Sequence, residues 1–102
     1  MVLTVFRSRM RSGVDVAVLE KTGARMYELA TRMPGFISYK DFTAADGESV
    51  SLVEFESAET LLAWRNHPEH EEAQRLGREQ FFSEYRIQVG IPSRTYRYLA
   101  GG

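Results

Sequence analysis

The sequence contains no cysteine. Disulfides, thiolate nucleophiles and cysteine-ligated metals are therefore excluded together, and the chain is indifferent to the redox state of its compartment. It also lacks any block of like charge. Thirteen basic and fourteen acidic residues are interspersed, and the formal net charge is -1. The electrostatic footprint of a nucleic-acid or anionic-membrane binder is missing. No stretch reaches the roughly 20 apolar residues of a membrane helix. Residues 1–13 lack the apolar core of a secretory signal, so a cytoplasmic protein is expected. The glycines are scattered or stand at turns rather than in a phosphate-cradling loop, which argues against a nucleotide or flavin. No Gly-x-Ser-x-Gly element is present. Tryptophan occurs once and histidine twice, and all three fall between residues 64 and 70.

What remains is a chain of one-domain length, 102 residues, with 43% hydrophobic and 12% aromatic residues, enough to form a packed core. Residues 2–8 are β-branched and aromatic and predict a strand. Val2, Thr4 and Phe6 share one of its faces; Leu3 and Val5 share the other, so both faces require cover. Residues 14–32 predict a helix, with Val16, Leu19, Gly23, Met26, Tyr27, Ala30 and Met33 on one side. Pro34-Gly35 ends it. Strands follow at 36–43 and 48–56, joined by Ala44-Ala45-Asp46-Gly47, a hairpin signal. Ser57 is placed to cap a helix over 58–66, and Pro68 suits the first turn of another over 69–78. Residues 81–91 predict the last strand. Phe81, Tyr85, Ile87, Val89 and Ile91 lie on one face, with Glu84, Arg86 and Gln88 on the other. Residues 93–99 read as a short strand or an arm.

The element order is β-α-β-β-α-β, with the second helical region in two pieces. This is the α+β, ferredoxin-like arrangement of a four-stranded antiparallel sheet. Helices cover only one face of such a sheet, and here the other face carries apolar residues as well. A homodimer packed sheet against sheet would cover it. Residues 1–91 form the expected domain, and residues 92–102 an arm that contacts the partner.

Three segments carry a family likeness: Met33 to Tyr39, Trp64 to His70, and Gly77 to Val89. On these the chain resembles the antibiotic biosynthesis monooxygenase domain family over residues 1–91. The resemblance implies a dimeric α+β barrel with a pocket between helices and sheet in each protomer. It also implies a range of chemistries: cofactor-free monooxygenation of aromatic polyketides or quinols, haem degradation, and isomerisation of a signalling sugar. The haem-degrading branch uses an asparagine in the first strand, a tryptophan and an iron-ligating histidine. Here Trp64 matches the tryptophan, but Arg7 stands where the asparagine is sought, and the histidine position falls nearer Gln74 than His70. The oxygenase branch uses a tryptophan with nearby asparagine, tyrosine and arginine. Trp64 matches again, His70 falls near the tyrosine position, Thr60 near the asparagine, and Arg86 is the candidate arginine.

The resulting expectation is a monooxygenase that needs no cofactor, with haem as the disfavoured alternative and a non-catalytic dimeric binding module as another. Its substrate would be a small planar phenol, quinol or polyketide-like aromatic. Trp64 would hold that ring and offer an N–H donor, or would simply be a core residue. His70 would act as a base near neutral pH, or would only bond a neighbour. Arg86 would stabilise a developing phenolate, or pair across strands. His67, Arg7 and Tyr39 are candidate substrate contacts. His67 and His70 beside Glu69, Glu71 and Glu72 have the composition of a metal site, but the helix break at Pro68 and the lack of a third clear ligand argue against one.

Overall fold

A computed structural model describes residues 1–101. Strand β1 (Val2–Met10) leads into helix α1 (Val16–Arg32) and the hairpin of β2 (Phe36–Thr43) and β3 (Ser49–Phe55). Two short helices follow, α2 (Ala58–Arg65) and α3 (Pro68–Leu76). A wide π-type turn over Gly77–Phe81 then enters β4 (Phe82–Gly90). The four strands form one open antiparallel sheet in the order β2-β3-β1-β4. This is the ferredoxin-like α+β fold.

The punctuation follows from local chemistry. Asp15 caps α1 by accepting from the Val18 N–H. Ser57 and Thr60 form a reciprocal capping box at α2, which satisfies two otherwise orphaned donors. Pro68 sits in the first turn of α3 behind His67, whose ring accepts from the Glu69 N–H. Between α1 and β2, Gly35 adopts φ +80, and a Cβ there would lie 2.7 Å from Thr60 side-chain atoms. Only glycine allows the chain to cross the α2 cap that closely.

The core lies between the helices and one face of the sheet. It is built from Val2, Met26, Leu29, Ala30, Val53, Phe55, Leu61 and Trp64. The α1 stripe differs from the sequence expectation at both margins. Leu29 is buried, whereas Val16 is 49% and Tyr27 48% exposed, because the sheet beneath covers a narrower band of the helix than its apolar periodicity offers. Tyr27 still meets the Tyr39 ring edge-on at 5.4 Å.

The entry to β4 corrects the strand reading. Phe81 belongs to the wide turn and is buried, and the strand begins at Phe82. The register shifts between Arg9 and Met10: Arg9 pairs with Glu84 and Met10 with Phe82, leaving Ser83 as the extra residue of a bulge. The bulge turns Phe82 onto the helix side, where its ring meets Phe6 at 5.5 Å and Tyr85 at 6.1 Å. Arg11 fixes the turn by donating to the carbonyls of Phe82 and Arg78. Beyond β4, residues 91–99 take no regular structure, so the strand alternative for residues 93–99 is not realised. Ile91, Tyr96, Tyr98 and Leu99 project into solvent.

Candidate active site

One cavity of about 180 Å³ opens between α1, α3, the wide turn and the helix-facing side of the sheet. Its floor is Thr4, Phe6, Tyr39, Ser51, Val53, Tyr85 and Ile87. Its walls are Leu19, Thr22, Gly23 and Met26 from α1, Trp64 and Arg65 from α2, His70, Ala73 and Gln74 from α3, and Gly77, Phe81 and Phe82 at the turn. The lining is predominantly apolar and aromatic, with a few convergent polar groups, the usual character of a small-molecule site. No aspartate or glutamate contributes to it.

Trp64 anchors the wall. The indole stacks on Phe55 at 5.6 Å, takes the Tyr39 edge at 6.0 Å and meets the His70 ring edge-on at 4.4 Å. Its Nε1–H is buried and has no protein acceptor; the Thr4 Oγ1 of the floor is in the same condition. Native folds rarely leave buried polar groups unpaired, and both of these belong to residues that line the cavity.

His70 is held from behind. The Gln74 side-chain amide lies 3.0 Å from His70 Nδ1 and 3.4 Å from the Arg65 carbonyl oxygen. Burial, reinforced by the charge of Arg65, pushes the imidazole pKa down to about 4. The ring is therefore neutral at physiological pH. Tyr39 is shifted the other way, up to about 12, by burial and then by the negative charge of Asp41. Its hydroxyl keeps its proton and serves as a hydrogen-bonding group, not as a base.

The profile of the family described as antibiotic biosynthesis monooxygenase matches residues 1–76. The chain belongs to the antibiotic biosynthesis monooxygenase family. An uncharacterised Bacillus subtilis protein, YqjZ, is 32% identical over 85 residues, which span 83% of this chain and 74% of that one. Rv0793 of Mycobacterium tuberculosis shares the fold with a TM-score of 0.80 at 22% identity, over 94% of this chain and 98% of that one. A variant of SnoaB, a cofactor-independent oxygenase from Streptomyces nogalater, superposes with a TM-score of 0.77 at 17% identity, over 92% and 94% of the two chains. The family match supports a monooxygenase at the level of the family.

Within this family member, the cavity gathers three of the six residues singled out from sequence: Trp64, His70 and Tyr39. The other three lie elsewhere. Arg7 and Arg86 are cross-strand partners on the sheet face opposite the helices. Strand alternation sends Thr4, Phe6, Tyr85 and Ile87 inward and the two arginines outward. Arg7 is engaged in a bidentate pair with Glu48 at 2.9 and 3.1 Å. His67 is the cap of α3 and does not line the cavity. His70 lines the cavity, but burial makes its ring a weak base that takes up a proton only far below neutral pH.

The sequence reading missed Arg65, Gln74, Thr4 and Phe82 as lining residues. Gln74 follows His70 by one helical turn, a spacing that places both on one face, and Arg65 directly follows the tryptophan. Phe82 could not be found this way, because its orientation depends on the bulge at Ser83. Among the described residues no group of three or more His, Cys, Asp or Glu is positioned to hold a metal ion, and no helix is long and apolar enough to cross a membrane.

Proposed function

We propose that this protein is a cofactor-independent oxygenase acting on a small planar phenol. The observation that carries the reading is the donor-rich polar complement of an aromatic-walled cavity. The indole N–H of Trp64 has no protein partner, Tyr39 keeps its proton, the His70 ring is neutral, and no carboxylate lines the site. An engineered protein cavity of roughly 150 Å³ takes up benzene. A chamber of about 180 Å³ open to solvent fits a one- or two-ring aromatic. A lining with N–H and O–H donors and no carboxylate favours an oxygen that gains negative charge, here the phenolate left when solvent at the open mouth takes the phenol's proton, before the ring gives an electron to dioxygen. Arg65 adds a cation at the wall. For a phenol with a free para C–H, the sum is phenol plus O2 giving quinone plus water. One oxygen enters the ring carbon and the other leaves as water.

A haem reading is less well supported. An iron ligand needs an imidazole nitrogen lone pair directed into the cavity, and Nδ1 lies 3.0 Å from the Gln74 amide instead. The expected homodimer joins this proposal. Leu3, Val5, Val50 and Leu52 lie on the sheet face away from the helices, bordered by Lys40, Glu54, Arg7 and Arg86. That is an apolar centre with a polar rim, and a second copy is its simplest cover. Sedimentation at micromolar concentration should give twice the chain mass.

The catalytic test uses 1-naphthol, which is stable in air. Incubation under 18O2 should give 1,4-naphthoquinone with one labelled oxygen, and the double variant Trp64→Ala, His70→Ala should remove the activity. Equal rates with the wild type, the double variant and buffer would refute the oxygenase.

A further inference from the structure

We propose that Gln74 is a positioning residue that locks His70 as its Nε2–H tautomer, so that the cavity presents a second fixed N–H donor beside the indole of Trp64. The amide nitrogen of Gln74 sits between two groups: the Arg65 carbonyl at 3.4 Å and His70 Nδ1 at 3.0 Å. A backbone carbonyl only accepts, so the Gln74 amide must turn its NH2 toward it. The same NH2 then meets Nδ1, and Nδ1 must accept. In a neutral imidazole the proton then resides on Nε2. Flipping the amide would set Oε1 against the Arg65 oxygen, an acceptor against an acceptor. The carbonyl at the end of α2 thus decides, through one side chain of α3, which nitrogen of His70 carries the proton. The imidazole packs edge-on against the Trp64 indole, ring centroids 4.4 Å apart, so the two rings share one wall of the cavity.

The consequence is a substrate class. This deepens the oxygenase reading and rests on it: the wall recognises aromatic rings through oxygen acceptors, a carbonyl or an ionised phenol, and discriminates against hydrocarbons and ring amines of the same shape.

Two measurements test it. Long-range 1H–15N correlation spectra of the protein at pH 7 report each histidine tautomer directly. Wild type should show His70 with its proton on Nε2. Gln74→Glu places a carboxylate against Nδ1 and should move the proton there. Gln74→Leu should give a mixture. Finding the Nδ1–H form in wild type, or no change in Gln74→Leu, would overturn the proposal.

The second measurement follows quenching of the single tryptophan by menadione, a quinone with two carbonyl acceptors and no donor, against 2-methylnaphthalene. Losing the second donor should weaken menadione roughly tenfold in Gln74→Glu, the upper end of one hydrogen bond, and leave the hydrocarbon within twofold. Equal losses for both ligands would mean a structural role and would overturn the proposal. If neither compound binds wild type, the pocket reading fails instead, and the tautomer spectra still decide the role of Gln74.

Discussion

Replacing Trp64 by phenylalanine separates two effects that usually act together. The indole is 5% exposed and contacts Phe55, Tyr39 and His70. Cutting such a residue to alanine removes most of that packing and should cost about 3–5 kcal/mol. Phenylalanine keeps one ring. The lost atoms equal two or three methylenes, about 2 kcal/mol at roughly 0.8 each. Against this, the variant removes a buried N–H that has no protein acceptor, and relieving such a group is worth about 1–3 kcal/mol. The two contributions nearly cancel, so Trp64→Phe should unfold within about 1 kcal/mol of wild type. Urea unfolding followed by far-UV circular dichroism measures this without needing tryptophan emission. The same variant should bind menadione roughly tenfold more weakly, assayed by calorimetry, because the donor is gone. A loss of 3 kcal/mol or more in Trp64→Phe would show that the indole N–H is well paired in the folded protein, and the donor-wall reasoning would fall.

Three further outcomes follow. Gly35→Ala and Gly47→Ala both place a side chain at positive φ, but only position 35 meets Thr60 at 2.7 Å; thermal melts should show a loss of roughly 1 kcal/mol at position 47 and about twice that or more at position 35. His70 titrates near 6.5 when unfolded and at about 4 when folded, so the unfolded chain binds more protons. Stability should therefore fall by about 1.5 kcal/mol between pH 6.5 and 5, a slope that His70→Leu abolishes. Urea midpoints across that window check it, above the range where Glu48, Glu69 and Glu72, all held below the ordinary carboxylate value by arginine partners, begin to protonate. Arg86→Met should leave menadione affinity within twofold of wild type, because Arg86 stands on the far face of the sheet; a tenfold loss would return that arginine to the site.

The legible part of this fold was the part written in short-range chemistry. Alternation located the strands, Asp46-Gly47 the hairpin, Ser57 and Pro68 the helix starts, and the isolated Trp64–His70 segment marked the cavity wall. The arginines were offered to the site although alternation already set Arg86 on the face opposite Tyr85 and Ile87, the side on which it faces Arg7 across the strands. Thr4 and Phe6 were already assigned to one side of β1, and Arg7 follows them on the other. Gln74 entered the reading only as the position near which the resemblance puts an iron-ligating histidine; its contact with the Arg65 carbonyl arises only when α2 and α3 meet. Phe81 and Phe82 exchanged roles through a turn and a bulge, two irregularities that carry no periodic signal.

The wide turn at Gly77–Phe81 has an evolutionary corollary. A Cβ at Gly77 would lie 3.0 Å from the Phe82 ring, so any side chain there must tilt that ring relative to the chamber. Removing one residue from the turn would restore ordinary helical winding and swing both phenylalanines by about a quarter of a revolution. Relatives that lengthen, shorten or decorate this short segment can therefore resize the cavity while β1 and β4 keep their pairing.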